Sequence, residues 1–129
     1  MAHNSINIGK RSELLAQTAL LANGYEVAQP IAPEPYDLVA RDPITGSWAT
    51  FQVKTARVRE DRGAVVVVAK RSDGSPYTKN DADFLIGVVG SDVYVFENTG
   101  QGEYWTTPDG IDSRWKRLSL DLIRGGAAV

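Results

Sequence analysis

The chain has no cysteine and a single histidine in 129 residues. Without cysteine there are no disulfides, no thiolate nucleophile and no cysteine-ligated zinc, which fits a reducing, cytoplasmic setting. The one histidine, His3, sits at a chain end, where side chains are loosely held. Ser-His-Asp, Cys-His and histidine-cluster metal chemistry are therefore excluded together. Long apolar runs are missing too. Nothing approaches the roughly 20 residues that span a bilayer, and the start Met-Ala-His-Asn-Ser has no signal-peptide core, so no membrane partner is expected. Any catalysis must run on carboxylates, amides, hydroxyls and lysine. Hard oxygen donors of that kind suit Mg2+ or Mn2+.

At this length the expectation is one domain, residues 1–129, with a core of about 9–97 and a C-terminal extension over 98–129. The net charge of −2 is unevenly spread. Between Lys54 and Lys79 lie seven basic residues (Lys54, Arg57, Arg59, Arg62, Lys70, Arg71, Lys79) against three acidic ones. Between Asp92 and Asp112 lie five acidic residues and no basic one. Attraction to phosphate depends on the local patch and not on the sum, so Arg57, Arg59, Arg62, Lys70, Arg71 and Lys79 are candidate nucleic-acid contacts. Ordinary solvated cover explains them equally well.

Along the chain, Gly9 to Asn23 reads as a largely buried helix closed by Gly24, and Tyr25 to Gln29 as a short strand. Tyr36–Arg41 and Trp48–Lys54 alternate as strands about the turn Asp42-Pro-Ile-Thr-Gly-Ser47. Arg57–Arg62 reads as a loop, and Gly63–Ala69 as a β-branched central strand. A helical turn is expected over Tyr77–Ala82, then strands Phe84–Val89 and Val93–Phe96 joined by a tight turn. Asn98–Asp112 reads as irregular, and Ser119 as the cap of a short last helix, Leu120–Arg124. The order describes an α/β protein with a mixed sheet flanked by helices.

A hairpin symmetric about Ile44–Thr45 sets Asp37 opposite Gln52, with Lys54 on the same face two residues on. The opposite face carries Tyr36, Leu38, Ala40, Ala49, Phe51 and Val53, which is a core pattern. Glu13 is the one acid on an otherwise apolar helix. Each has a plain explanation: a helix-dipole acid, a strand-start aspartate, the polar side of an amphipathic strand. Together they suit phosphodiester hydrolysis, in which a divalent cation neutralises the repelling anionic oxygens and lowers the pKa of water. Asp37 is then the central ligand, beside the Gln52 side-chain oxygen and the Val53 backbone carbonyl, with Glu13 arriving from the helix. Lys54 orients the attacking water or stabilises developing charge, a role favoured over that of a free general base.

The layout Gly9-Lys-Arg-Ser-Glu13-Leu-Leu-Ala, then Asp37, then Gln52-Val-Lys54, resembles the PD-(D/E)XK nuclease superfamily. It is similar to archaeal-type Holliday junction resolvases, and the Gln-x-Lys form resembles a homing-endonuclease branch. The resemblance spans roughly residues 9–97. It implies a restriction-endonuclease-like core, a mixed sheet of about four strands with a helix on each side. Tyr77 and Asp81 or Asp83 look like that group's later segment and are given no role. Two departures stand out: Tyr36 separates Pro35 from Asp37, and Gln52 replaces an acidic ligand.

The leading expectation is a Mg2+- or Mn2+-dependent DNA endonuclease, structure-selective and resolvase-like, acting as a homodimer or higher homo-oligomer because two strands must be addressed. Backbone contacts carry no sequence information, and no further domain is present to read bases, which tilts the expectation towards branched DNA. The alternatives are a sequence-specific homing or restriction-type endonuclease, a non-cleaving nucleic-acid-binding module on the same fold, and a plain interaction domain with a solvated strand face.

Overall fold

Small and apolar side chains recur at one helical face, and they bury it. In the computed structural model, which describes residues 4–122, helix α1 runs Asn4–Ala22. It buries Ser12, Ala16, Ala19, Leu20 and Ala22, while Leu14 and Leu21 stay more than half exposed. The expectation of burial nearly all round is thus corrected. The helix lies on one side of a sheet, and only the stripe facing the sheet is covered. Gly24 closes it at φ 86°, the left-handed conformation expected of a C′ glycine.

The strands that follow are β1 (Glu26–Ala28), β2 (Leu38–Arg41), β3 (Trp48–Thr55), β4 (Arg57–Arg59), β5 (Ala64–Val68), β6 (Phe84–Val89), β7 (Asp92–Glu97), β8 (Glu103–Thr106) and β9 (Lys116–Leu118). A short helix α2, Ile111–Arg114, precedes β9. Six strands form one sheet in the order β1-β2-β3-β6-β7-β9, in which only β3 and β6 run parallel. The other three, β4-β5-β8, form a separate antiparallel sheet. A parallel pair needs a crossover, and here the β4–β5 hairpin supplies it where a helix is the common solution.

The β2–β3 register follows the expected symmetry, with Leu38 opposite Phe51 and Ala40 opposite Ala49. Alternation divides the large sheet into two faces. Leu38, Ala40, Phe51, Val53, Ile86, Val88 and Val93 pack against Ala16, Ala19 and Leu20 of α1. On the other face, Leu85 and Tyr94 pack with Val65, Val67 and Tyr104 of the small sheet and with Ile111 and Trp115. The second layer is therefore chiefly a sheet, and the helix on that side is the single turn α2, which buries Ile111. Gly87 permits the approach of the two sheets: a Cβ there would lie 2.9 Å from Val67 Cγ2.

Several local expectations are corrected. The Arg57–Arg62 loop is strand β4 followed by a 3-10 turn, Glu60–Arg62. Gly63–Ala69 is indeed a central strand, but of the small sheet. The Tyr77–Ala82 segment forms the expected single turn, in which the Ala82 N–H donates to the Thr78 carbonyl and Asp81 accepts the Thr78 N–H, and it does not extend into a helix. The 98–129 segment adds β8 to one sheet and β9 to the other. Leu120–Leu122 is not helical, and the rest of the expected last helix, Ile123 and Arg124, lies outside the described residues, as does His3. No described helix is long and apolar enough to cross a membrane.

Candidate metal and nucleic-acid site

Asp37 sits one residue before β2 and is pinned twice to β3. Its N–H donates to the Phe51 carbonyl at 2.8 Å, and its Oδ2 accepts the Val53 N–H at 2.8 Å. The carboxylate thus continues the ladder where the backbone of β2 has not yet begun. Burial pushes the Asp37 carboxyl up from its ordinary value of 3.8; the Val53 N–H lowers it, Glu13 raises it, and Lys54 and Lys10 lower it. Glu13 and Asp37, from helix and strand, line one open groove of about 340 Å3 with Lys10, Glu34 and Tyr36. Glu13 Oε2 also lies 3.6 Å from Lys10 Nζ. That pairing was visible in the sequence as an i, i+3 spacing on a helix and was missed.

Gln52 is 8% exposed and pairs in register with Leu85, on the side of the second core. It is not a solvated strand residue, and no hydrogen bond from its side chain is found among the described residues. The register ends at Leu38 and Phe51, and the Asp37 N–H turns to the Phe51 carbonyl, so the ladder does not carry Asp37 to the place opposite Gln52 that hairpin symmetry predicts. Lys54 is opposite Gly87, and its Nζ donates to the Tyr77 hydroxyl at 3.5 Å while lying 5.1 Å from the ring centroid. Tyr77 thus holds the ammonium over an aromatic face. Asp83 is committed to the fold, since its Oδ2 accepts from the Thr50 N–H and Oγ1 and so aligns the starts of β3 and β6. Asp81 is taken up by Arg71 and by Thr78, which hold its carboxyl below the usual aspartate range.

The donor set fits a hard divalent cation. Two carboxylates line one groove although the charge of Glu13 works against ionisation of Asp37, the amide of Gln52 is uncommitted, and all are oxygen donors. Among the described residues no three His, Cys, Asp or Glu side chains gather as a metal cluster. Gln52, Val53 and Lys54 do not line the groove that Glu13 and Asp37 share.

The basic segment is divided in space. Lys79 pairs with Glu97 at 2.7 Å, Arg62 with Glu103 at 3.9 Å, and Arg71 with Asp81. The acidic stretch thereby neutralises part of the basic one, and two of its three remaining acids, Asp92 and Asp112, pair with Arg117. The Lys70 stem lies against Gly102. Arg57 and Arg59 stand on β4 facing away from the second core.

The PD-(D/E)XK endonuclease family profile matches residues 3–96, and the chain belongs to that family. Enzymes of this family generally use divalent metals. Among solved structures, the bacterial homing endonuclease I-Ssp6803I is similar at 25% identity, over 92% of this chain and 86% of that one, with a TM-score of 0.68. None of the curated proteins matches. The α/β fold with its curled mixed sheet is that of this family, as the sequence pattern led one to expect.

Proposed function

We propose that the protein is a divalent-metal-dependent DNA endonuclease whose site is Glu13, Asp37, Gln52, Val53 and Lys54. The observation that carries it is the convergence of Glu13 and Asp37 on one groove, with Lys54 electrostatically coupled to the same carboxylate. Asp37, Glu13, the Gln52 side-chain oxygen and the Val53 carbonyl would hold Mg2+ or Mn2+. Bound there, the cation supplies charge neutralisation at the phosphate and a lowered pKa for water. Lys54, steadied by Tyr77, donates to a non-bridging phosphate oxygen as its charge grows in the transition state. Water adds to phosphorus, the bond to the leaving oxygen breaks, and that oxygen takes up a proton. Two strands require two such sites, so a homo-oligomer is the working form.

Two substrates are supported by different features. Arginines that reach phosphates without reading bases favour branched, structure-defined DNA. The likeness to I-Ssp6803I favours a homing-type cut in a specific duplex sequence. Nicking of a four-way junction, beside a linear duplex library with Mg2+ or Mn2+, tests both. Cleavage confined to the junction supports the first, and cleavage at one duplex sequence the second. If neither is cut while both are bound, the chain is the non-cleaving module that Gln52 also allows.

A further inference from the structure

The outer face of the small sheet takes no part in the site above. The register sets Arg57, Val66 and Trp105 in one row across β4, β5 and β8, with Arg59 and Ala64 in the next. Cross-strand partners share a face, and the alternate residues Val65, Val67 and Tyr104 belong to the second core. The row therefore points outward. Trp105 is 53% exposed, whereas Val66 is 1% and Ala64 5% exposed. The small side chains form a floor and the indole a wall. A groove of about 300 Å3 is bounded by Arg62, Ala64, Val66, Glu103 and Trp105, within the range of small-ligand clefts. Arg114 lies 5.6 Å from the Trp105 ring, and its Nη1 donates to the Trp105 carbonyl at 3.1 Å, which fixes the indole from outside the groove.

Charge narrows the occupant. Arg62 lines the groove with the indole, Arg114 lies over its ring, and Arg57 and Arg59 stand on the same face two strands away, while Glu103 is the one carboxylate lining the groove. Its contact with Arg62, 3.9 Å between two half-exposed side chains, is weak and easily exchanged. A second copy docking by two-fold symmetry would set these arginines against themselves. An anionic chain carrying flat rings matches both the guanidinium groups and the indole. Arg57 follows Lys54 by three residues, about 10 Å of extended backbone, so one strand can reach both places.

We propose that this face binds an unpaired stretch of DNA, an unstacked base lying on Trp105 and the flanking phosphates on Arg57, Arg59 and Arg62. The proposal rests on the DNA-cleaving reading, but its test is separable. Binding is measured by fluorescence anisotropy without metal, using the full chain with Asp37→Asn. The probes are a labelled single-stranded oligothymidine of about sixteen nucleotides and a perfect duplex of equal length. Trp105→Ala is expected to weaken single-strand binding about 5- to 100-fold and duplex binding less than about twofold, with Trp105→Phe retaining most of the affinity. Trp105 is exposed, so an unchanged circular dichroism spectrum and Tm are expected for both. Unchanged single-strand affinity in Trp105→Ala, an equal loss on the duplex, or no binding of the single strand by the parent chain overturns the proposal. Cleavage with Mg2+ by the chain carrying Asp37 is scored separately. If it cuts DNA and Trp105 is silent, only this proposal falls. If it does not cut but Trp105 governs single-strand binding, the cleavage reading falls and this one stands.

Discussion

Asp37 carries opposing electrostatic demands. Its carboxyl is raised chiefly by burial, so between pH 3.8 and its folded value the native state keeps a proton that the unfolded chain has lost. The unfolded state then binds fewer protons, and stability falls as pH rises through that window. Asp37→Asn removes this decline while the amide oxygen can still accept the Val53 N–H. Without metal at neutral pH its Tm is expected above that of the parent chain, and cleavage is expected to drop at least about 100-fold. A lower Tm, or retained cleavage, measured on the purified variant would remove Asp37 from the site. Metal uptake requires the ionised carboxylate, so affinity should climb with pH through the same window, as calorimetric titration would show. Gln52→Glu makes the complementary change: a hard anionic oxygen replaces the amide at nearly constant volume. Magnesium affinity is expected to rise about tenfold or more. Equal metal binding by the two proteins would end the ligand assignment, and lower turnover with tighter binding would show the new charge drawing Lys54 away.

At the level of elements, Gly87 decides how closely the small sheet seats on the large one. Gly87→Ala sets a methyl group 2.9 Å from Val67 Cγ2 and is expected to destabilise by about 1–3 kcal/mol. Chemical denaturation checks this, and Val67→Ala in the same chain should recover part of the loss. Elements were legible where periodicity was local. The β2–β3 hairpin, its register and the Gly24 helix stop follow from alternation and turn chemistry within about fifteen residues. The pairing of Glu13 with the Asp37 groove was legible from a lone acid on an apolar helix, and the resemblance supported it. The β4–β5–β8 sheet was not legible, because Arg57-Val-Arg59 is too short to show alternation and β8 sits in a polar, glycine-rich stretch. The buried Asn98, whose side chain donates to the Thr78 and Ala82 carbonyls and accepts from Tyr104, organises that stretch. Sequence alone shows only another polar residue.

For the whole molecule, folding brings opposite charges together that the sequence keeps apart. Sequence runs of one sign suggested six phosphate-contacting residues, but Arg71 and Lys79 are engaged by Asp81 and Glu97. Arg57 and Arg59, which have no such partner among the described residues, therefore carry most of the expected salt dependence, with Arg62 beside them only loosely held by Glu103. Replacing both by alanine should reduce the slope of log affinity against log salt by about 1.4–1.8, from about 0.7 per phosphate contact for single strands and 0.9 for duplex. Lys79→Ala should leave it nearly unchanged. Equal effects from the two variants in salt-titrated binding would place the contact surface elsewhere.

The β4–β5 excursion also sets a timetable for assembly. Hairpin β2–β3 closes over the six residues between Arg41 and Trp48, whereas Phe51 meets Phe84 only after the chain has wandered through another sheet. Pairings distant in sequence form slowly, since the entropy of closing the intervening chain is lost before any contact compensates it. The Asp37–Val53 contact belongs to the early event and the β3–β6 ladder to the late one. In pulse-labelled hydrogen exchange during refolding, the Val53 amide should gain protection before those of β6. Half of the candidate site would then exist before the strand beside it has arrived.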